Sequence, residues 1–293
     1  MATIAQWIEG ARPRTLPTAV SPVLAGTGAA IGYGVVAPGR ALLALVVAVA
    51  LVVGVNYAND YSDGIRGTDD ERVGPLRLVG SKVAEPATVR TFAIGCFSIA
   101  GLAGLTLVSL SGQWWLIAVG ALCIAGARFY TGGRRPYGYS GLGEIAVFVF
   151  FGPVAVLGTV ITQSGTPGAL SVVTAVGVGL LTCAVLVANN LRDIPTDTVV
   201  GKRTLAVMLG DAETRRLYAA LVTVPILLSA LGGLRSLPML LGLLVLPLAA
   251  LLARQVLGGV DGRRLIRVLA QTGMLLLAWS VLTGIGLALS QFT

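Results

Sequence analysis

Two stretches carry residue types able to do chemistry. The first is Asn56-Tyr57-Ala58-Asn59-Asp60-Tyr61-Ser62-Asp63, which runs on through Arg66 to Asp69, Asp70, Glu71 and Arg72. The second is Asn189-Asn190-Leu191-Arg192-Asp193-Ile194-Pro195-Thr196-Asp197, followed by Gly201-Lys202-Arg203-Thr204. On a helix, Asn56, Asp60 and Asp63 are spaced by four and three, so all project from one face. Asn189, Asp193 and Asp197 are spaced by four. Hard oxygen ligands without sulfur or imidazole suit Mg²⁺, which takes one or two carboxylates, several waters and substrate phosphates. Two such clusters facing each other across a cavity can hold a diphosphate through bridging Mg²⁺. Adjacent Lys and Arg then neutralise the remaining charge. An allylic diphosphate leaves a carbocation behind, so the main catalytic need is metal stabilisation of the leaving group. No covalent nucleophile is needed. Asp69, Asp70 and Glu71 are adjacent and cannot all face one site.

Other chemistries are excluded by composition. The chain has no histidine, which removes an imidazole base, a Ser-His-Asp triad and His-ligated zinc, copper or haem. Cys96, Cys123 and Cys183 lie scattered in apolar stretches. Their spacing fits no metal motif, and three cannot form a complete disulfide set. They read as buried filler.

The elements that position these clusters must cross a membrane. Of the 293 residues, 55% are hydrophobic and only 12% charged, about half the roughly 25% usual in soluble proteins. Mean hydropathy is +0.86. The 39 glycines suit close helix packing in lipid. An all-α polytopic membrane protein is expected. Nine spans are predicted, at about 15–36, 41–58, 87–110, 113–130, 143–162, 168–190, 214–233, 236–254 and 267–290. Pro13, Pro17 and Pro22 interrupt the apolar start, so the N-terminus reads as a broken first span and not a signal peptide.

Charge then orients the bundle. With nine spans, only Arg40 and Arg235 of the 21 Lys and Arg fall on one side, and all 13 acids fall on the other. The positive-inside rule places the N-terminus and the charged loops in the cytoplasm. The net charge of +8 reads as loops facing an anionic leaflet and an anionic substrate, with no nucleic-acid partner. No linker divides the chain, so residues 1–293 are expected as a single domain. The acids are expected at hydrated helix ends, with Pro195 kinking the second motif and weakening Asp197 more than Asp193.

The motifs resemble those of the UbiA-type intramembrane prenyltransferases. Within that superfamily the blocks Arg12-Pro-Arg-Thr-Leu-Pro17, Asn56–Tyr61, Gly74–Val79, Tyr130-Thr-Gly-Gly133, Gly138–Glu144, Asn189–Asp193 and Gly201–Ala206 resemble the branch that prenylates 1,4-dihydroxy-2-naphthoate. They run in order from about residue 12 to 210. The resemblance implies nine helices around a cytoplasm-facing cavity in the plasma membrane. It implies a polyprenyl diphosphate donor, Mg²⁺, and replacement of the ring carboxylate by the prenyl group on the way to menaquinone. It also implies roles. Asp60, Asp63, Asp193 and Asp197 match the catalytic metal positions, with Asp63 or Asp69 as the farther ligand of the first motif. Asn56, Asn59 and Asn189 fall in the same motifs. Arg77, Lys202 and Arg203 match basic positions near diphosphate. Tyr130 matches a tyrosine that either stacks on a cation or ring, or anchors at the membrane interface. Arg14 is a candidate for the acceptor carboxylate. Glu144 either takes part or pairs with a nearby arginine.

Two alternatives stand beside this reading. One is another acceptor of the superfamily: 4-hydroxybenzoate, homogentisate or a porphyrin. The other is an ion-coupled transporter, which predicts acids near span centres. None falls there.

Overall fold

The computed structural model describes residues 2–68 and 76–292. Asp69, Asp70, Glu71, Arg72, Gly74 and Pro75, singled out above, lie outside the described residues. A short α1 (Ile4–Gly10) leads in. Then come α2 (Pro17–Gly32), α3 (Pro38–Gly64), α4 (Pro86–Ser111), α5 (Leu116–Phe129) and α6 (Gly143–Ser164). α7 (Ala169–Val199), α8 (Leu205–Gly233), α9 (Leu237–Leu257) and α10 (Gly262–Leu289) complete the bundle. Each of the nine expected spans coincides with one of α2 to α10. Seven of these, α3, α4 and α6 to α10, are long and apolar enough to cross a bilayer. α5 has 14 residues and α2 has 16, so the count of nine is approximate. No strand occurs among the described residues, where an isolated backbone bridge joins Ser140 and Arg203. The chain is an all-helical, multi-pass membrane protein.

Local chemistry sets the helix ends. Thr3 and Gln6 form a reciprocal capping box on α1. Pro17, Pro38 and Pro86 begin α2, α3 and α4, where a missing N–H costs nothing. Arg40 donates to the carbonyls of Leu110 at 2.6 Å, Thr162 at 3.3 Å and Gln163 at 3.4 Å. It thereby satisfies the orphan carbonyls at the ends of α4 and α6, where a cation is favoured.

Packing follows small residues. α2 lies against α10 so closely that a Cβ at Gly28 would stand 2.2 Å from the Gly284 carbonyl oxygen. This is the close backbone approach that small residues permit in lipid. α7 is the most buried of the seven long spans and packs against α8 and α10. Trp279 of α10, fully buried, donates its indole N–H to Ser229 of α8 at 3.0 Å.

The structure corrects three expectations about the site-bearing segments. α3 runs to Gly64 and not 58, and α7 runs to Val199 and not 190. Both motifs therefore lie wholly on helix, as their spacing implied, with each helix running past its expected end. α7 also continues through Pro195, so Asp193 and Asp197 stay one turn apart on the same helix. Thr196 and Thr198 donate back to the carbonyls of Asp193 and Ile194 at 3.0 and 2.7 Å, giving that turn hydrogen bonds beyond its backbone ladder. Nor do the acids stand open to bulk solvent: Asp60, Asp63, Asp193 and Asp197 are 1%, 3%, 4% and 7% exposed. Loops fold over them.

Candidate active site

The last two turns of α3 organise the site loops. Asn56 donates to the Ala11 carbonyl at 3.0 Å and to the Thr15 hydroxyl at 3.1 Å. Asn59 accepts from the Thr131 hydroxyl at 2.8 Å. Asp60 accepts the backbone N–H groups of Leu78 and Val79 at 2.6 and 3.1 Å. Asp63 accepts from the Tyr139 hydroxyl at 2.6 Å. Four polar side chains on two turns thus hold four separate loop positions. Arg66 beyond them donates to the carbonyls of Thr131 and Gly133.

The end of α7 is cross-linked within itself. Arg192 grips Asp193 through Nε and a terminal nitrogen at 2.7 and 2.8 Å and donates to Asn189 at 2.9 Å. Such a bidentate pair fixes both side chains. Asn190 donates to Glu144 at 2.9 Å, so the partner found for Glu144 is an amide and not an arginine. The Lys202 ammonium lies 3.7 Å from Asp197 and 5.0 Å over the Tyr139 ring.

Both helix ends meet one cavity of about 880 Å³ between α2, α3, α4, α5, α6 and α7. Asn56, Asn59 and Asp63 line its polar end from α3, and Asn189, Asn190 and Arg192 line it from α7. Arg77, Lys202 and Tyr130 also face it, and Arg14 stands exposed on its wall. Most of the remaining wall is apolar. Phe150, Phe151 and Val154 come from a widened π-helical stretch of α6 around Pro153. Asp60, Asp193 and Asp197 sit just behind the wall, and Arg203 is exposed and outside it.

Tyr130 owes its place to glycine: a Cβ at Gly138 would lie 2.7 Å from the Tyr130 carbonyl oxygen. Its ring meets Tyr137 edge to face at 5.5 Å. Burial, then the nearby Glu144 charge, pushes its phenol well above the ordinary value. Burial and the Asp63 carboxylate raise Tyr139 in the same way. Burial takes Tyr137 up to about 12. All three stay neutral hydroxyls at physiological pH.

Could these residues hold a divalent ion? Among the described residues no three His, Cys, Asp or Glu side chains gather into a metal cage. Asp63 brings a carboxylate to the cavity wall from α3, and Asn189 and Asn190 bring amides from α7, beside Arg77, Arg192 and Lys202. That donor set fits an ion completed by substrate phosphate oxygens, as Mg²⁺ prefers.

Sequence reasoning missed two residues. Tyr139 joins both motifs, and its only signal was its place within the Gly138–Glu144 block. Arg12 lines the cavity with a left-handed backbone (φ +55°, ψ 68°) directly before Pro13. This conformation is costly for a non-glycine residue. Asn56 and Thr15 hold the turn in place, Thr15 by donating to the Arg12 carbonyl at 2.9 Å.

Comparison with known proteins agrees with this architecture. Residues 19–281 match the UbiA prenyltransferase family. The 1,4-dihydroxy-2-naphthoate octaprenyltransferase of Mycobacterium tuberculosis is 57% identical over the whole of both chains. The enzyme of that name from Escherichia coli is 38% identical over 98% of this chain and 96% of its own. A UbiA homologue from Archaeoglobus fulgidus, bound to GPP and Mg²⁺, shares the fold with a TM-score of 0.66. It has 12% identity over 96% of this chain and 99% of its own. The pattern of helices, the shared cavity and these similarities lead to one conclusion: the chain belongs to the UbiA prenyltransferase family.

Proposed function

We propose that this protein transfers a polyprenyl group from an allylic polyprenyl diphosphate to 1,4-dihydroxy-2-naphthoate, with loss of the ring carboxylate, in menaquinone biosynthesis. The observation that carries the reading is the cavity itself. A long apolar chamber of about 880 Å³ ends where two Asn/Asp helix ends and several cations converge. An isoprenoid tail needs the chamber and a diphosphate needs the polar end. The 57% identical relative and others of the same name support the choice of acceptor.

Each residue then has a job. Asp60, Asp63, Asp193 and Asp197 supply the carboxylates for a divalent cation, which we assign as Mg²⁺, with Asp63 on the wall itself. When bound, the cation neutralises the departing diphosphate. Arg77 and Lys202 add fixed positive charge there, and Asn56, Asn59 and Asn189 position the surrounding polar groups. Arg203 acts through its backbone bridge to Ser140. The C–O bond of the donor breaks and its electron pair leaves with diphosphate. The electron-rich ring carbon bearing the carboxylate attacks the allylic cation, and carbon dioxide departs to restore aromaticity. The apolar wall keeps water from trapping the cation, and Tyr130 presents its ring to it. Arg14 takes the acceptor carboxylate. The whole chain acts as one domain in the plasma membrane, with the polar end of the cavity toward the cytoplasm.

Membranes containing the protein, given geranylgeranyl diphosphate, Mg²⁺ and a panel of aromatic acids, test this directly. The expected product, by mass, is prenylated naphthalenediol lacking the carboxylate. Turnover of 4-hydroxybenzoate and not the naphthoate would overturn the acceptor assignment.

A further inference from the structure

The Tyr139 side chain touches both Asp63 of the first motif and Lys202, which follows the second. Its hydroxyl donates to Asp63 Oδ1 at 2.6 Å, and its ring seats the Lys202 ammonium at 5.0 Å. Lys202 in turn pairs with Asp197 at 3.7 Å. The backbone bridge between Ser140 and Arg203, one residue along in each loop, holds these two loops side by side. The Arg66 guanidinium also lies 5.7 Å from the centre of the same ring. Arg66 is itself anchored to the carbonyls of Thr131 and Gly133.

We infer that Tyr139 is a positioning residue that joins the two half-sites, orienting Asp63 through its hydroxyl and Lys202 through its ring. The hydroxyl occupies one carboxylate oxygen of Asp63 and leaves the other for a cation. The ring carries no charge of its own, so it seats the ammonium at the cavity wall beside Asp197 while leaving it able to bind a diphosphate. The two functions are separable by substitution. Tyr139→Phe removes the hydroxyl and keeps the ring, whereas Tyr139→Leu removes both. This inference rests on reading the cavity as a prenyl-diphosphate site.

Calorimetric binding of geranyl diphosphate to the purified full-length protein, across a Mg²⁺ series and without acceptor, reads the effect apart from turnover. Loss of a hydrogen bond to a charged group is worth roughly ten- to a hundred-fold. Tyr139→Phe should raise the Mg²⁺ concentration for half-maximal binding by about that factor, while KM for the aromatic acid holds. Tyr139→Leu should weaken binding further at saturating Mg²⁺, because Lys202 loses its seat. In an Asp63→Asn background Tyr139→Phe should add nothing, since it acts through Asp63. If wild-type protein binds and Tyr139→Phe matches it throughout, the positioning role fails and the functional reading stands. If wild-type protein binds no geranyl diphosphate at any Mg²⁺ level, both fall.

Discussion

Asp60 accepts the Leu78 N–H at 2.6 Å, so an acid of the first motif also fixes the turn that carries Arg77. Leu78 is fully buried and packs with Tyr57, Val79, Val89 and Ala93. The carboxylate therefore links the chemistry at the end of α3 to the packing of α3 against α4.

Asp60→Asn should consequently do two things. Loss of a charge that stabilises the departing diphosphate should cost at least roughly 10²-fold in kcat. The amide NH₂ would also face a backbone N–H, leaving a buried donor unpaired at about 1–3 kcal/mol, so thermal stability should fall with activity. Asp193→Asn should lower stability as well, because it uncovers the buried Arg192 guanidinium. Asp211→Asn is the control. Asp211 is exposed, and its partner Arg215 keeps its bonds to the Val256 and Val260 carbonyls, so activity should stay within a few-fold of wild type. Wild-type turnover by Asp60→Asn at saturating Mg²⁺ would remove Asp60 from the metal site.

Lys202→Ala separates the two substrates. The ammonium faces the cavity, and a diphosphate needs cations beyond the metal. KM for the prenyl diphosphate should rise more than KM for the aromatic acid. The opposite split would move Lys202 to the acceptor.

Sidedness can be read by labelling. Ser81 and Thr166 are both exposed and lie in loops on opposite sides of the expected topology. Ser81→Cys and Thr166→Cys, in a background lacking Cys96, Cys123 and Cys183, should react with an impermeant reagent from opposite sides, Ser81→Cys from the cytoplasm. Reaction of both from one side would break the nine-span topology.

Gly28→Val tests the packing of α2 on α10. The added atoms would overlap the Gly284 backbone, which cannot move like the end of a flexible side chain. Overpacking of this kind costs about 1–3 kcal/mol or more. A drop in thermal stability without a change in KM of the surviving protein is the expected outcome.

The sequence by itself determined the class of protein, the approximate positions of α2 to α10 and the two acid motifs. These are properties of local composition: apolar runs long enough for a bilayer, prolines and charges between them, and Asn and Asp at helical spacing. What it could not decide was where helix stops and which way each polar atom turns. Asn56 to Asp63 read as a hydrated helix end, yet their polar side chains are buried, because segments at residues 11–15, 78–79, 131 and 139 supply their partners. Pro195 weakened the expectation for Asp197, yet α7 continues through it and keeps Asp193 and Asp197 on one helix. Tyr139 carried no signal beyond its place in the Gly138–Glu144 block. It lies 76 residues from Asp63, and its neighbour Ser140 bridges to Arg203. Only the folded bundle brings those segments together, since a hydrogen bond between distant residues depends on where the helices place the loops and not on the spacing within either one.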